Sequence, residues 1–300
     1  MTRHHNRPSA PLGASLVVLS SVFYGSYGVW SVLMGSGFGN FTQAVVRSGL
    51  VVLILWAIAA NRGALKPVQW RRDAKWLFYS ALSSLLIGAP FYYAFQHAGV
   101  GLTNVLNYAC LILSMFVFGR LFNKERFTGA KLVSCVLGLA GLYLVFTPNL
   151  HAAGLLALGA AVVSGLATGL NITASKNLPY GALQTTLIAW TGGLVTNLPL
   201  MWLTHEAPVP PLSDKHWLYL FCFVAISIAA SWSVIQGVKL VEAGVAGILG
   251  LLEVVFGIGF GVVLFHEHPT AITLVGAGFI LAAAAGPYLQ HYNAARGRLE

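Results

Sequence analysis

Charge is scarce in this chain: only 8% of its 300 residues are Asp, Glu, Lys or Arg, while 57% are apolar. A soluble domain is about a quarter charged, so this composition excludes one; its core would have almost no solvating shell. Mean hydropathy of +0.76 says the same. Cysteine is also sparse. Cys110, Cys135 and Cys222 each fall inside an apolar stretch, as buried thiols do, rather than in the pattern of a disulfide framework or a metal cage. A GxxxxGK[ST] phosphate cradle and a soluble segment to carry it are both missing, which excludes transport driven by ATP hydrolysed within this chain. The alternating ten-residue segments of a membrane β-barrel are missing too, so apolar stretches here are helices.

The chain does hold long apolar runs. A hydrocarbon layer takes about 20 mostly apolar residues per helix. Ten stretches fit: 12–34, 41–60, 76–98, 101–122, 128–148, 152–175, 181–203, 216–238, 243–265 and 270–290. The fold class is therefore all-α, a polytopic membrane protein of ten transmembrane helices. The first stretch follows MTRHHNRPSAP and superficially resembles a signal peptide, but its apolar core is too long and no small-x-small site closes it.

Positive charge sets the orientation. With a cytoplasmic amino terminus, the inner segments hold Arg3 and Arg7, then Arg62 through Lys75, then Arg120 through Lys131, then Lys176, Lys239, Arg296 and Arg298. Only Lys215 is left outside, and Arg47 lies within a span. Such a split predicts both termini inside and supports the count of ten. The net charge of +9 is thus explained by topology, without a nucleic-acid partner.

A shift of 142 residues lays 118–140 over 260–282. Phe118, Gly119, Glu125, Thr128, Leu132, Val133, Leu139 and Ala140 meet identical residues at Phe260, Gly261, Glu267, Thr270, Leu274, Val275, Leu281 and Ala282. An odd number of crossings separates the copies, so equivalent loops belong on opposite faces. Their charges agree: RLFNKERF is basic, VLFHEHPT has no Lys or Arg. The predicted organisation is a five-helix repeat over 1–148 and an inverted one over 149–300. Such a pair places a substrate site between the halves near the membrane midplane, exposed to each side in turn.

The stretches NVLNYACLILSMFVFGRLFNKERFTGAKLVSCVLGLAGL and AGVAGILGLLEVVFGIGFGVVLFHEHPTAITLVGAGFIL resemble the EamA-type branch of the drug/metabolite transporter superfamily. There each half ends in an apolar helix, a short Glu-containing turn with a helix-starting Thr, and a Gly-rich helix. The resemblance implies a carrier in the inner membrane, most like the exporters of aromatic and other neutral amino acids. It implies no cofactor, and leaves the oligomeric state open, a monomer being compatible with it.

Polar residues in a lipid-embedded helix face the protein interior. Span one gathers Tyr24, Tyr27 and Ser31 with Trp30 beside them; in span three Tyr92, Tyr93 and Gln96 follow Pro90, a candidate kink and gate. Span four sets Asn104, Asn107 and Ser114 on one side, and span six carries Ser164, Thr168, Asn171 and Ser175. Span seven repeats that spacing with Thr186, Trp190 and Asn197, and span eight places Trp232 and Gln236 four apart. A Ser or Thr commonly returns its bond to its own helix. Trp70, Trp76, Trp217 and Tyr219 sit where an interfacial belt belongs. Asn104, Asn107, Asn171, Trp190 and Trp232 lie deeper and point to a cavity.

The interior charge restricts the cargo. A phosphate or dicarboxylate calls for several cations, yet Arg47 is the single cation well inside a span, close enough to the outer end to be either an anchor snorkelling to that surface or a ligand. A neutral or zwitterionic solute fits better: an amino acid, aromatic ones favoured by stacking. Glu253, mid-span, is either a proton- or cation-coupling site or a neutral acid bonded to a neighbouring helix. Other small neutral metabolites or drugs are the alternative cargo. An intramembrane enzyme is the rival of another class, but His266, Glu267 and His268 space poorly for a metal and Glu267 is explained by the repeat.

Overall fold

In hydrocarbon a lone segment satisfies its own backbone hydrogen bonds only as a helix, and helices are what the computed structural model contains. It describes residues 10–35, 37–149, 152–206, 209–211 and 214–296, the side chains of Asn149 and 287–296 excepted. Among them no strand occurs. The elements are α1 (Ala10–Gly25), α2 (Tyr27–Met34), α3 (Asn40–Asn61), α4 (Trp70–Asn123), α5 (Gly129–Phe146), α6 (Leu155–Asn177), α7 (Ala182–Leu203), α8 (His216–Val238), α9 (Ala243–Gly250), α10 (Leu252–Phe265) and α11 (Ala271–Arg296). Among the described residues eight helical runs are long and apolar enough to cross a membrane, α1 with α2 and α9 with α10 each counting once; Ala271–Gly286 is a shorter apolar helix. Arg3, Arg7 and Arg298 of the topology argument lie outside the described residues, as do Ala207, Pro208, Leu212 and Ser213 of the segment HEAPVPPLSDK between α7 and α8.

The runs differ from the expected spans in three places. Spans three and four are one helical run, α4, broken only in its dihedrals at Gly99, where φ 75 and ψ 167 suit glycine alone. Pro90, the expected kink, sits inside that run with helical dihedrals on either side. Span one slackens at Ser26 and span nine at Leu251, single residues that separate α1 from α2 and α9 from α10.

The 142-residue register holds across the fold. It carries both ends of α3 onto those of α7, the last residue of α4 onto that of α10, and the start of α5 onto that of α11. The turns match in detail: Lys124 and His266 take left-handed dihedrals of φ 54, ψ 32 and φ 55, ψ 32. The following glutamates each donate their N–H over 3.2 Å, Glu125 to the Gly119 carbonyl and Glu267 to that of Gly261. Thr128 and Thr270 then accept the N–H of Lys131 at 3.4 Å and of Thr273 at 3.3 Å, capping α5 and α11.

α5 and α11 pack antiparallel. A Cβ on Gly141 would stand 2.6 Å from the Gly276 carbonyl oxygen, while farther along Gly138 faces Ala283. This close approach of two backbones needs glycine at the crossing. The turn before α5 and the turn before α11 therefore lie at opposite ends of the bundle.

Candidate functional site

The end holding Glu125 is closed by polar contacts. Glu125 accepts from Lys176 Nζ at 2.6 Å and from the N–H of Ala243 at 2.9 Å, so one carboxylate both pairs with a cation and caps α9. Lys176 also donates to the Val241 carbonyl at 2.7 Å, and Lys131 pairs with Glu242. Nearby, Lys239 donates to the Leu178 carbonyl at 2.8 Å, and its burial lowers the ammonium pKa to about 8. Tyr180 donates to Asp73, and Gln184 spans the backbone of Lys66, donating at 2.7 Å and accepting at 3.1 Å. The space left beside Phe116, Glu125, Lys131 and Glu242 is about 10 Å³.

From the other end a cavity of about 800 Å³ enters the bundle. Its rim is formed by Pro148 and by Glu267 to Thr270, and its depth by Tyr24, Tyr27, Asn104, Tyr108 and Glu253. Glu253, in the first turn of α10, accepts a 2.8 Å hydrogen bond from the Tyr108 hydroxyl of α4. That bond joins the two repeats at mid-bundle. Tyr24 and Tyr27 lean together with ring centroids 5.0 Å apart. The wall thus offers aromatic faces, an amide and a carboxyl group, in a volume suited to a small molecule. Tyr108 is absent from the sequence candidates; lying one turn beyond Asn104 on the same helical face, it is open to detection by period.

Four of the sequence candidates, Tyr24, Tyr27, Asn104 and Glu253, meet at this cavity. Others bind helices to each other. Asn107 donates to Ser164 Oγ at 3.0 Å, and Ser164 passes a 3.0 Å bond to the Ile87 carbonyl, fastening α4 to α6. Asn171 donates to Ser83 Oγ at 2.9 Å. Trp190 donates to Ser231 Oγ at 2.9 Å across α7 and α8, whereas Trp30 donates to Ser26 Oγ at 3.3 Å within its own run. Tyr92 accepts from Gln96 at 2.6 Å and stands edge-on to Phe41, near the open end. Tyr93 stacks on His97 of its own helix, and Tyr93, Gln96 and Trp232 are exposed on the protein surface.

Arg47 departs from the course of a snorkelling anchor. Instead of reaching toward the surface, its guanidinium lies 4.2 Å from the Phe223 ring centroid, 5.5 Å from Tyr27 and 5.8 Å from Trp190. The aromatic rings contribute up to about 2 kcal/mol each when desolvated, against several kcal/mol for taking a cation out of water. Among the described residues Arg47 has no carboxylate partner, and its Nε is buried without a hydrogen-bond acceptor.

Comparison with known proteins agrees with this architecture. A family model described as the EamA-like transporter family matches the chain twice, over residues 11–147 and 153–288. A solved structure described only as the crystal structure of a protein superposes with a TM-score of 0.74, over 93% of this chain and 99% of its own. At 18% identity that likeness shows the fold alone. No curated protein matches the sequence.

Proposed function

We propose that this chain, which belongs to the EamA-like transporter family, exports amino acids, aromatic and other neutral ones, by exposing one central cavity to the two membrane faces in turn. The family is one of membrane transporters of small substrates, and the chain is a multi-pass membrane protein. The observation that carries the reading is the cavity of about 800 Å³, open at the Glu267 end and shut at the Glu125 end, reaching the Tyr108–Glu253 bond between the repeats. Its Tyr24, Tyr27 and Tyr108 rings suit an aromatic side group, and Asn104 and Glu253 suit an ammonium.

In this reading the chain crosses the membrane ten times, α4 counting twice about Gly99, as two inverted repeats over 1–148 and 149–300. The Glu125 end, rich in Lys and Arg, faces the cytoplasm across the inner membrane, with both termini on that side. The described form then opens outward. Closure exchanges the roles of the two glutamates: Glu267 takes up the N–H groups at the start of the helical segment after Gly99, while Glu125 lets go of α9. Glu253 serves as the coupling carboxyl group, its proton or the substrate ammonium competing for the same oxygens.

Counterflow in proteoliposomes tests this directly. Labelled tryptophan and phenylalanine are expected to exchange saturably against internal amino acid, with a rate that depends on a pH gradient and loses that dependence in Glu253→Gln. Equal binding of tryptophan and a sugar nucleotide by the purified protein would contradict the reading.

A further inference from the structure

The unbalanced guanidinium marks a second polar locus beside the cavity. Arg47 Nε is buried without a hydrogen-bond partner, and so are Gln43 Nε2, Tyr27 Oη and Ser227 Oγ. Gln43 and Arg47 stand one turn apart on α3, so both donors leave the same face. Ser227 stands one turn from Phe223 on α8, and Phe223 carries the guanidinium on its ring. The Ser227 and Tyr27 hydroxyls stand close enough for a weak interaction with each other, outside the geometry of a full hydrogen bond. Ser227 is fully buried. Four unsatisfied polar groups from three helices thus gather at one cation.

Packing gives no reason for this expense. The 142-residue register puts Thr185 and Ala189 of α7 where α3 has Gln43 and Arg47, and Leu85 where α8 has Ser227. The same architecture is built there without a cation. Guanidinium, amide N–H and two hydroxyls form a donor-rich set, and a planar anion with two oxygens uses the fork of an arginine best. Tyr27 connects this set to the cavity, since its ring lines the cavity wall and carries Arg47.

We propose that Arg47, Gln43, Tyr27 and Ser227 form a subsite for the carboxylate group of the substrate. The proposal names the acid end of the amino-acid reading and rests on it. The carboxylate supplies a counter-charge that no described residue provides, and gives the four donors an acceptor when cargo is present. A zwitterion then spans between this subsite and the Glu253 side of the cavity.

Calorimetric titration of the full chain in nanodiscs tests it with two pairs of ligands: phenylalanine against phenylalaninamide, and 3-phenylpropanoate against 3-phenylpropanamide. Each acid is expected to bind at least about tenfold more tightly than its amide. Arg47→Gln should level both pairs, and Arg47→Lys should keep part of the preference because the charge survives without the fork. Should Arg47→Gln not fold, Gln43→Leu and Ser227→Ala are each expected to reduce the preference severalfold. Acid and amide binding alike, no binding of any of the four, or a preference that survives Arg47→Gln would overturn the subsite. If counterflow of amino acids fails while the Arg47-dependent preference for 3-phenylpropanoate remains, the amino-acid reading is lost and the subsite stands.

Discussion

The turn at Lys124–Thr128 and the turn at His266–Thr270 are the same piece of backbone used in two ways. Both reverse the chain through a left-handed residue, fold a glutamate back toward a glycine and begin the next helix from a threonine. Glu125 is nonetheless committed to Lys176 and to the start of α9, whereas Glu267 stands exposed at the rim of the cavity. Identical local geometry therefore does not decide whether an end of the bundle is shut. The partner across the interface decides it, and an interface can be exchanged while a covalent turn cannot.

Breaking the engaged glutamate should have the largest effect. Glu125→Ala leaves the partly buried Lys176 without its carboxylate and α9 uncapped, and is expected to cost about 3–5 kcal/mol. Glu267→Ala should stay within about 0.5 kcal/mol, as surface changes do. Thermal unfolding of the two variants in detergent reads the difference, and equal losses would dissolve the contrast between the turns.

Accessibility sharpens the same comparison. In a background freed of Cys110, Cys135 and Cys222, Asn104→Cys should react with a membrane-impermeant maleimide about tenfold faster from the Glu267 side than from the other, a difference of about 1.4 kcal/mol in the balance of forms. Adding Glu125→Gln weakens the closed end and should narrow that ratio.

A comparable effect comes from the bond between the repeats. Tyr108→Phe removes the hydrogen bond to Glu253 and is expected to slow transport at low substrate by about tenfold, in line with about 1.5 kcal/mol for a bond to an ionisable group. Initial uptake rates in proteoliposomes measure it, and an unchanged rate would set that bond apart from the working cavity.

The smallest belongs to Lys239. Its folded-state pKa of about 8 lies below the usual lysine value, because burial penalises the ammonium. The unfolded chain then holds more protons from about pH 8 to 10, so stability rises with pH through that window. The gain is about 1 kcal/mol or less once solvent screening is allowed for, and Lys239→Met should abolish the step in a plot of melting temperature against pH.

How far the sequence reached can be argued from particular residues. The repeat register is readable because Glu125, Thr128 and Gly119 recur with their neighbours in a fixed spacing, and the turn geometry depends on those residues locally. The break at Gly99 is within reach, since glycine is the residue that tolerates such dihedrals, but Pro90 is the more conspicuous helix breaker nearby. Asn107 and Asn171 belong on interior faces, yet periodicity alone does not distinguish a cavity wall from a seam between helices. Their partners, Ser164 and Ser83, stand tens of residues away in the chain. Arg47 stays open in the sequence for the same reason: the distance to a surface is legible along one helix, whereas the rings of Tyr27, Trp190 and Phe223 come from three others.

By itself the sequence determined that the chain lives in lipid, that it is helical and that it is built twice over, because apolar length, backbone satisfaction and a repeated turn act within single segments. Only the tertiary structure decided which end is shut, which polar residues face a cavity and what surrounds the guanidinium of Arg47. Those depend on which helices become neighbours, and in lipid that choice is made by close packing and by pairing of polar groups between segments far apart in the chain.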